Sequence, residues 1–225
     1  MFKDTAILIF ANSGSAEKAN KSIRKSEILF NELNKYVLKI VKNSNIPYFL
    51  ITDKEQVGNS FGERFTNAIQ TVFNNDYKNV ITIGNDSPQL KTKHLLATAK
   101  RLERGETVLG PSSDGGFYLM GIQKELFNKK EFLNISWNSN KVLKEVETLI
   151  KKSKESIFKL ETLIDIDKEL DIKRIHSFHR KISRVLHLII LAILSESTIV
   201  FYQSLQFFEN RKSQRYFNKG SPLLA

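Results

Sequence analysis

The sequence predicts a three-layer α/β fold, with a mostly parallel sheet between helices and a helical extension at its C-terminal end. Three observations carry that expectation. Short apolar, β-branched runs of strand length alternate with helix-periodic segments of ten or more residues, the pattern of parallel strands joined by crossover helices. Two of these runs end in polar blocks, IGNDSP at 83–88 and GPSSDGGFYLMGI at 110–122, each placing an aspartate beside glycine or proline. In an open α/β sheet, side chains at the carboxyl ends of the strands face the ligand crevice. Finally, 225 residues suffice for one good-sized core, and 41% hydrophobic with 26% charged residues describes a globular chain.

The elements follow in order. Residues 5–10 (TAILIF) read as a first, buried strand. The small, polar segment 11–22, with Gly14 and several serines, reads as a loop. From 22 to 42, Ile23, Leu29, Phe30, Leu33, Val37, Leu38 and Val41 recur at helical spacing. PYFLIT at 47–52 is a second strand, and Phe61, Phe65, Ile69 and Val72 mark a helix ending near Asn74 and Asn75. NVITIG at 79–84 is a third strand that leads into Asp86. A helix over 92–103 takes Thr92 as its N-cap and Gly105 as its stop. Strands are expected at 107–110 and 116–122, a helix over 138–152 and a last short strand at 158–160.

Composition excludes several chemistries. Cys is absent, so there is neither a disulfide framework nor a thiolate metal site. The four His, at 94, 176, 179 and 187, are scattered, so no zinc site is expected. The N-terminal MFKDTAILIF has too short an apolar run, and an early Asp4, for a signal peptide, which makes a cytoplasmic location the default. Neither GxGxxG, GxxxxGK[ST] nor GxSxG occurs where a dinucleotide, P-loop or nucleophile-elbow site needs it. What remains is a site of carboxylates and backbone, suited to Mg²⁺ and phosphate oxygens. Asp86 and Asp114 are expected to share one cleft and one hydrated metal; the structural alternative is that Asp86 caps a turn before Pro88 and Asp114 shapes a tight turn. Asp165 and Asp167 read as caps of a short helix after 168. Trp137 reads as an aromatic of the core or cleft wall.

The net charge is +11, of which residues 172–225 hold nine Lys/Arg and two Glu, or +7 (9 − 2). The aromatics lie in apolar runs and not among the basic residues, so nucleic acid is not an expected partner. The tail also carries two apolar stretches, 185–194 and 199–208, interrupted by His187 and Glu196, too broken to span a bilayer. Two readings remain for it: packing on the domain or across a homodimer, or peripheral contact with an anionic membrane surface.

The ordered blocks FGERFTNAI (61–69), VITIGNDSPQL (80–90), VLGPSSDGGFYLMGI (108–122), ISW (135–137) and LIDIDKELDI (163–172) resemble a bacterial family. Its members are GT-A-fold, Rossmann-like, nucleotide-diphospho-sugar transferase-like proteins, long grouped as a domain of unknown function. Some are labelled glycosyltransferases of arsenosugar biosynthesis. More distantly, the blocks are similar to guanylyltransferases of molybdenum-cofactor and phospholactate metabolism. The resemblance spans roughly 5–172, and its most specific element is G-x-D-x-P followed in order by G-P-x-x-D-G-G-[FY]-Y-L.

The resemblance implies a Mg²⁺-dependent (or Mn²⁺-dependent) glycosyltransferase-like domain over 1–172, using a nucleotide-sugar, followed by a basic, apolar helical extension over 173–225. Asp86 then stands at the metal and nucleotide, with Gln56, Gly58, Arg64, Gly84 and Asn85 on the nucleotide side. Asp114 orients the acceptor or acts as a base and completes the metal site, with Gly115, Gly116 and Trp137 on the acceptor side. The alternatives are nucleotidyl transfer from a nucleoside triphosphate, and a non-catalytic binding or scaffold protein. One departure is plain. The family follows its first strand with a glycine-containing basic block ending Lys-Thr-Arg-Leu, whereas residues 11–30 here supply only Gly14, Lys18, Lys21, Arg24 and Lys25.

Overall fold

Residues 2–153, 156–178 and 182–195 are described by the computed structural model. Strand β1 (Thr5–Phe10) pairs in parallel with β2 (Tyr48–Ile51) on one side and β3 (Asn79–Ile83) on the other. β3 then pairs antiparallel with β5 (Phe117–Gln123), which pairs antiparallel with β4 (Thr107–Pro111); β4 pairs in parallel with β6 (Ile157–Lys159). The order is β2-β1-β3-β5-β4-β6, so five strands run one way and β5 alone is reversed. The reversal comes from the Asp-Gly-Gly turn. Gly115 sits at φ +97°, a left-handed region closed to most side chains, and Ser112 N–H donates to the Gly116 carbonyl at 3.0 Å.

Alternation along β1 builds the layers. Ile7 and Ile9 point to one face, against Val37, Ile40 and Val41 of α2 (Ser26–Lys42) and Leu95 and Ala99 of α4 (Thr92–Leu102). Ala6 and Leu8 point to the other, against Phe65, Ile69 and Val72 of α3 (Phe61–Asn74) and Val146 and Ile150 of α6 (Val142–Lys152). Burial on both faces is why β1 is apolar from Ala6 to Phe10. A capping box opens α3: Ser60 Oγ accepts from Glu63 N–H at 3.1 Å, and Glu63 accepts in return from Ser60 N–H at 3.4 Å. A short helix, α5 (Lys129–Leu133), bridges to the loop that carries Trp137.

Three local expectations are corrected. Part of the segment read as a loop at 11–22 is a helix, α1 (Gly14–Asn20). It has no apolar stripe to betray it; Ser13 Oγ caps Ala16 N–H at 3.3 Å, and the buried Glu17 accepts from Asn12 Nδ2 at 2.9 Å. Thr92 does not cap α4. Its hydroxyl donates to the Ile40 carbonyl at 2.9 Å, while His94 Nδ1 accepts from Lys91 N–H at the cap. The helix expected from 138 begins only at Val142, because Asn138 takes a left-handed φ of 64°.

After β6 the chain returns across α2. α7 (Glu169–Ser177) and a helix over 184–195, α8, bury Ile172, Ile175, Leu186, Ile190 and Ile193 against Leu29, Phe30 and Leu33. The described part of the basic extension therefore packs on the domain, and α7 runs through the boundary read at 172. No helix among the described residues is long and apolar enough to cross a membrane. The apolar run at 199–208 lies outside the described residues.

Candidate active site

A cleft of about 710 Å³ opens at the carboxyl ends of β1 and β3 and beside the β4–β5 turn. Of the residues singled out by sequence, Gln56, Arg64, Gly84, Asn85, Asp86, Asp114, Gly116 and Trp137 line it. Gly58 and Gly115 do not. Gly58, at φ +139°, lies against Glu63 at the start of α3, and Gly115 lies against the Asn140 backbone. Both shape loops that carry their neighbours to the cleft.

One wall is charged. Lys21, at the end of α1, sends Nζ to the Ile166 carbonyl at 2.8 Å, Asp167 at 3.0 Å, Asp86 at 3.5 Å and Glu17 at 3.6 Å. It also sits 4.6 Å above the Phe30 ring. Burial opposes its charge, yet Asp86, Asp167 and Glu17 together hold the ammonium above the ordinary lysine value. Burial raises Asp86, against the pull of Lys21 and with the push of Asp167. Burial also raises Glu17, again opposed by Lys21.

Asp165 and Asp167 are not helix caps. The α7 N-terminus is capped from within by Asp171, which accepts from Asp167 N–H at 3.2 Å and Lys168 N–H at 3.1 Å. Ile166 N–H instead donates to the Asp86 carbonyl at 3.0 Å, which runs the 165–167 segment along the β3 edge. Asp165 accepts a short hydrogen bond from the Ser87 hydroxyl. Its carboxyl is pushed well up, by burial first and then by the Asp86 charge, with Asp114 adding to it. Sequence reasoning missed Glu17, Lys21, Asp165 and Asp167 as site residues. The spacing of LIDID held a signal: Leu163 and Ile166 are buried, while the two aspartates between and after them reach the cleft.

A hydrogen-bonded band of amides and one arginine adjoins this wall. Arg64 Nε donates to Gln56 Oε1 at 3.1 Å, Gln56 donates to Asn12 Oδ1 at 3.4 Å, and Asn85 Nδ2 donates to the Asn12 carbonyl at 3.2 Å and Asn34 Oδ1 at 2.8 Å. The opposite edge is the β4–β5 turn. There Asp114 Oδ1 accepts from the Ser112 hydroxyl and from Gly116 N–H at 3.0 Å, so Oδ2 can accept from another group. Beyond the turn, Phe10, Phe61, Phe65, Phe117 and Trp137 form an aromatic wall.

The donor set suits a hard divalent cation. The cleft holds five carboxylates, Glu17, Asp86, Asp114, Asp165 and Asp167, against the cations Lys21 and Arg64. Burial disfavours the charge on Glu17, Asp86 and Asp165, so added positive charge beside them is favourable. Among the described residues no three acidic or His side chains stand together at ligating distance, so this is not a closed protein cage. A hydrated Mg²⁺ needs only one or two carboxylates, with substrate phosphates completing its shell.

Comparison with known proteins agrees with the fold. A crystal structure from Desulfovibrio desulfuricans G20, described provisionally as a nucleotide-diphospho-sugar transferase, is 20% identical, covers 89% of this chain and 97% of its own, and has a TM-score of 0.73. That likeness shows the fold class. Rv0371c from Mycobacterium tuberculosis H37Rv, solved with manganese, is 11% identical over 76% of this chain and 96% of its own, with a TM-score of 0.45. CMP:2-keto-3-deoxy-manno-octonic acid synthetase complexed with CTP is 8% identical over 79% and 98%, with a TM-score of 0.44. No curated protein matches the chain in sequence. Residues 51–139, which contain the FGERF, GNDSP and GPSSDGG blocks, match the model of the family described as "Uncharacterized protein conserved in bacteria (DUF2064)", and the resemblance carried by those blocks is thereby shown.

Proposed function

We propose that the chain is a transferase that uses a nucleotide-activated sugar, with residues 1–172 as the catalytic domain and 173–225 as an extension. One observation carries the reading: Asp86 from the β3 edge and Asp114 from the β4–β5 turn line the same cleft, across which amide and aromatic groups are also presented. The Arg64–Gln56–Asn12 band supplies hydrogen-bond donors and acceptors for a nucleotide. Asp86, held by Lys21, faces the diphosphate. Asp114, fixed through Oδ1, accepts the acceptor hydroxyl proton at Oδ2 or aligns that hydroxyl for attack on the sugar carbon. Mg²⁺ or Mn²⁺, held by Asp86 and Asp114, would neutralise charge on the departing nucleoside diphosphate.

The fate of the basic residues supports a diphosphate donor over a triphosphate. Lys18 pairs with Glu27 at 3.3 Å, Arg24 with Glu169 at 2.9 Å, and Lys21 is committed to three carboxylates and a carbonyl. These cations of the 11–30 segment are occupied within the protein. Nucleotidyl transfer is therefore the second reading, and a non-catalytic scaffold the third. The packing of α8 on α2 supports an extension that belongs to the domain surface rather than to a membrane.

A thermal-shift screen of nucleoside diphosphates and nucleotide-sugars tests the proposal. A ligand that binds only the folded chain raises Tm. The expected outcome is a rise that requires both nucleotide and divalent ion, and that is lost in Asp86→Asn while the ligand-free Tm changes little. No rise with any nucleotide would leave the scaffold reading.

A further inference from the structure

Five aromatic rings meet on one side of the cleft. Phe61 and Phe65, one helical turn apart on α3, stack with centroids 5.8 Å apart and planes 16° from parallel. Phe10, at the end of β1, meets Phe65 edge-on at 5.3 Å; Trp137 meets Phe65 at 5.2 Å and Phe61 at 5.5 Å; Phe117, the first residue of β5, meets Trp137 at 6.3 Å. Only Phe65 is buried. The other four are half-buried and turn their remaining surface into the cleft.

The wall is built and held. A Cβ on Gly62 would fall 2.4 Å from Trp137 Cδ1, so glycine at that helical position is what lets the indole lie against α3. Trp137 Nε1 donates to the Phe132 carbonyl at 2.8 Å, so its polar atom is satisfied inside the protein and the ring surface is what remains for a ligand. The loop that carries Trp137 and the start of α6 are tied to the Asp114 turn: Leu143 N–H of α6 donates to the Gly115 carbonyl at 3.1 Å, and Gly115 touches the backbone of Asn140 in the loop so closely that any Cβ would clash at 2.3 Å. The aromatic surface and the Asp114 carboxylate are thus held in one fixed relation.

A ligand that fits both must show an apolar ring face to the aromatics and hydroxyl donors to a carboxylate. We infer that this wall is the acceptor subsite and that the acceptor is a carbohydrate: one face of a pyranose presents C–H groups to the rings while its hydroxyls reach Asp114. The inference rests on the proposed transferase reading and names its acceptor class. An acyclic polyol offers hydroxyls without the ring face, and a simple phenol offers a ring face with one hydroxyl.

Trp137 is the sole tryptophan of the chain, so its emission reports this subsite directly. Titrating the full chain with methyl pyranosides, xylitol and phenol is the test. The expected result is a saturable change in Trp137 emission with at least one methyl pyranoside and none with xylitol. Phe117→Ala and Asp114→Asn should each weaken that change at least tenfold in a chain whose far-ultraviolet circular dichroism and melting remain native-like. If a variant fails to fold, saturation-transfer NMR on the wild type must show the pyranoside C–H protons, and not its outer hydroxymethyl group alone, receiving magnetisation. A saturable response to phenol but to no pyranoside, or to neither, overturns the inference. Pyranoside binding without any nucleotide-dependent Tm shift would overturn the donor reading and leave the subsite standing.

Discussion

The two walls of the cleft are stabilised by different physics. The aromatic wall is held by area: Phe65 is 5% exposed and contacts four other rings while packing into the α3–α6 side of the core. Its energy is hydrophobic and dispersive, and so indifferent to pH. The charged wall is held by a single ammonium set among carboxylates that burial disfavours. Its energy depends on which of those groups carries a proton. Under the proposed function, the side held by packing would receive the acceptor and the side that responds to ions would receive the donor diphosphate.

Three substitutions separate these contributions. The largest effect is expected for Phe65→Ala, which removes the ring at the centre of the aromatic wall; a loss of about 4 kcal/mol is expected for a buried Phe→Ala. Urea unfolding should give the same loss at acidic and neutral pH, and a strongly pH-dependent loss would contradict the division. Next is Lys21→Met, which leaves Asp86, Asp167 and Glu17 without their shared cation. Removing one partner of a largely buried ion cluster costs about 3 kcal/mol. Here the gap from wild type should close as the pH falls and the carboxylates take up protons.

The smallest effect is a gain. The Asp165 carboxyl is raised well above its unfolded value, so between those two values the folded chain binds more protons than the unfolded one, and stability falls as pH rises through that window. Asp165→Asn removes this penalty. Its Tm should exceed that of the wild type by a few degrees at neutral pH and match it at about pH 3, where both states of the wild type are protonated. Equal melting at neutral pH would mean that the carboxylate is not under strain.

The same contrast explains what was legible in the sequence. The strands declared themselves because burial on both faces demands runs that are mostly apolar and β-branched, as in TAILIF and NVITI. The cleft residues at GNDSP and DGG were legible because each block follows its strand directly. α1 was hidden because GSAEKAN has no apolar stripe and its helix is held by polar contacts from Ser13 and Asn12. The direction of β5 was not encoded in its own residues; it follows from the tight turn at Gly115 and from pairing with β3. Asp165 and Asp167 were misread because an aspartate ahead of a helix usually caps it, and only the three-dimensional run of Ile166 beside Asp86 assigns them to the cleft. Lys21 read as one cation among several, since its carboxylate partners are delivered by three separate stretches of chain.

Those partners also set the order in which the site can come into being. Lys21 reaches the Ile166 carbonyl and Arg24 reaches Glu169, each across 145 positions of sequence. Contacts of such separation are entropically late, formed after the local hairpins and helices are in place. During synthesis, β1 to β5 and the aromatic wall have all emerged before residues 166–169 exist to meet the first helix. A nascent chain stalled short of that point would carry the ring surface and the DGG turn while Lys21 still lacked Asp167 and the Ile166 carbonyl. The charged wall is a seal made only once the chain beyond β6 has been synthesised, joining the end of α1 to the segment between β6 and α7.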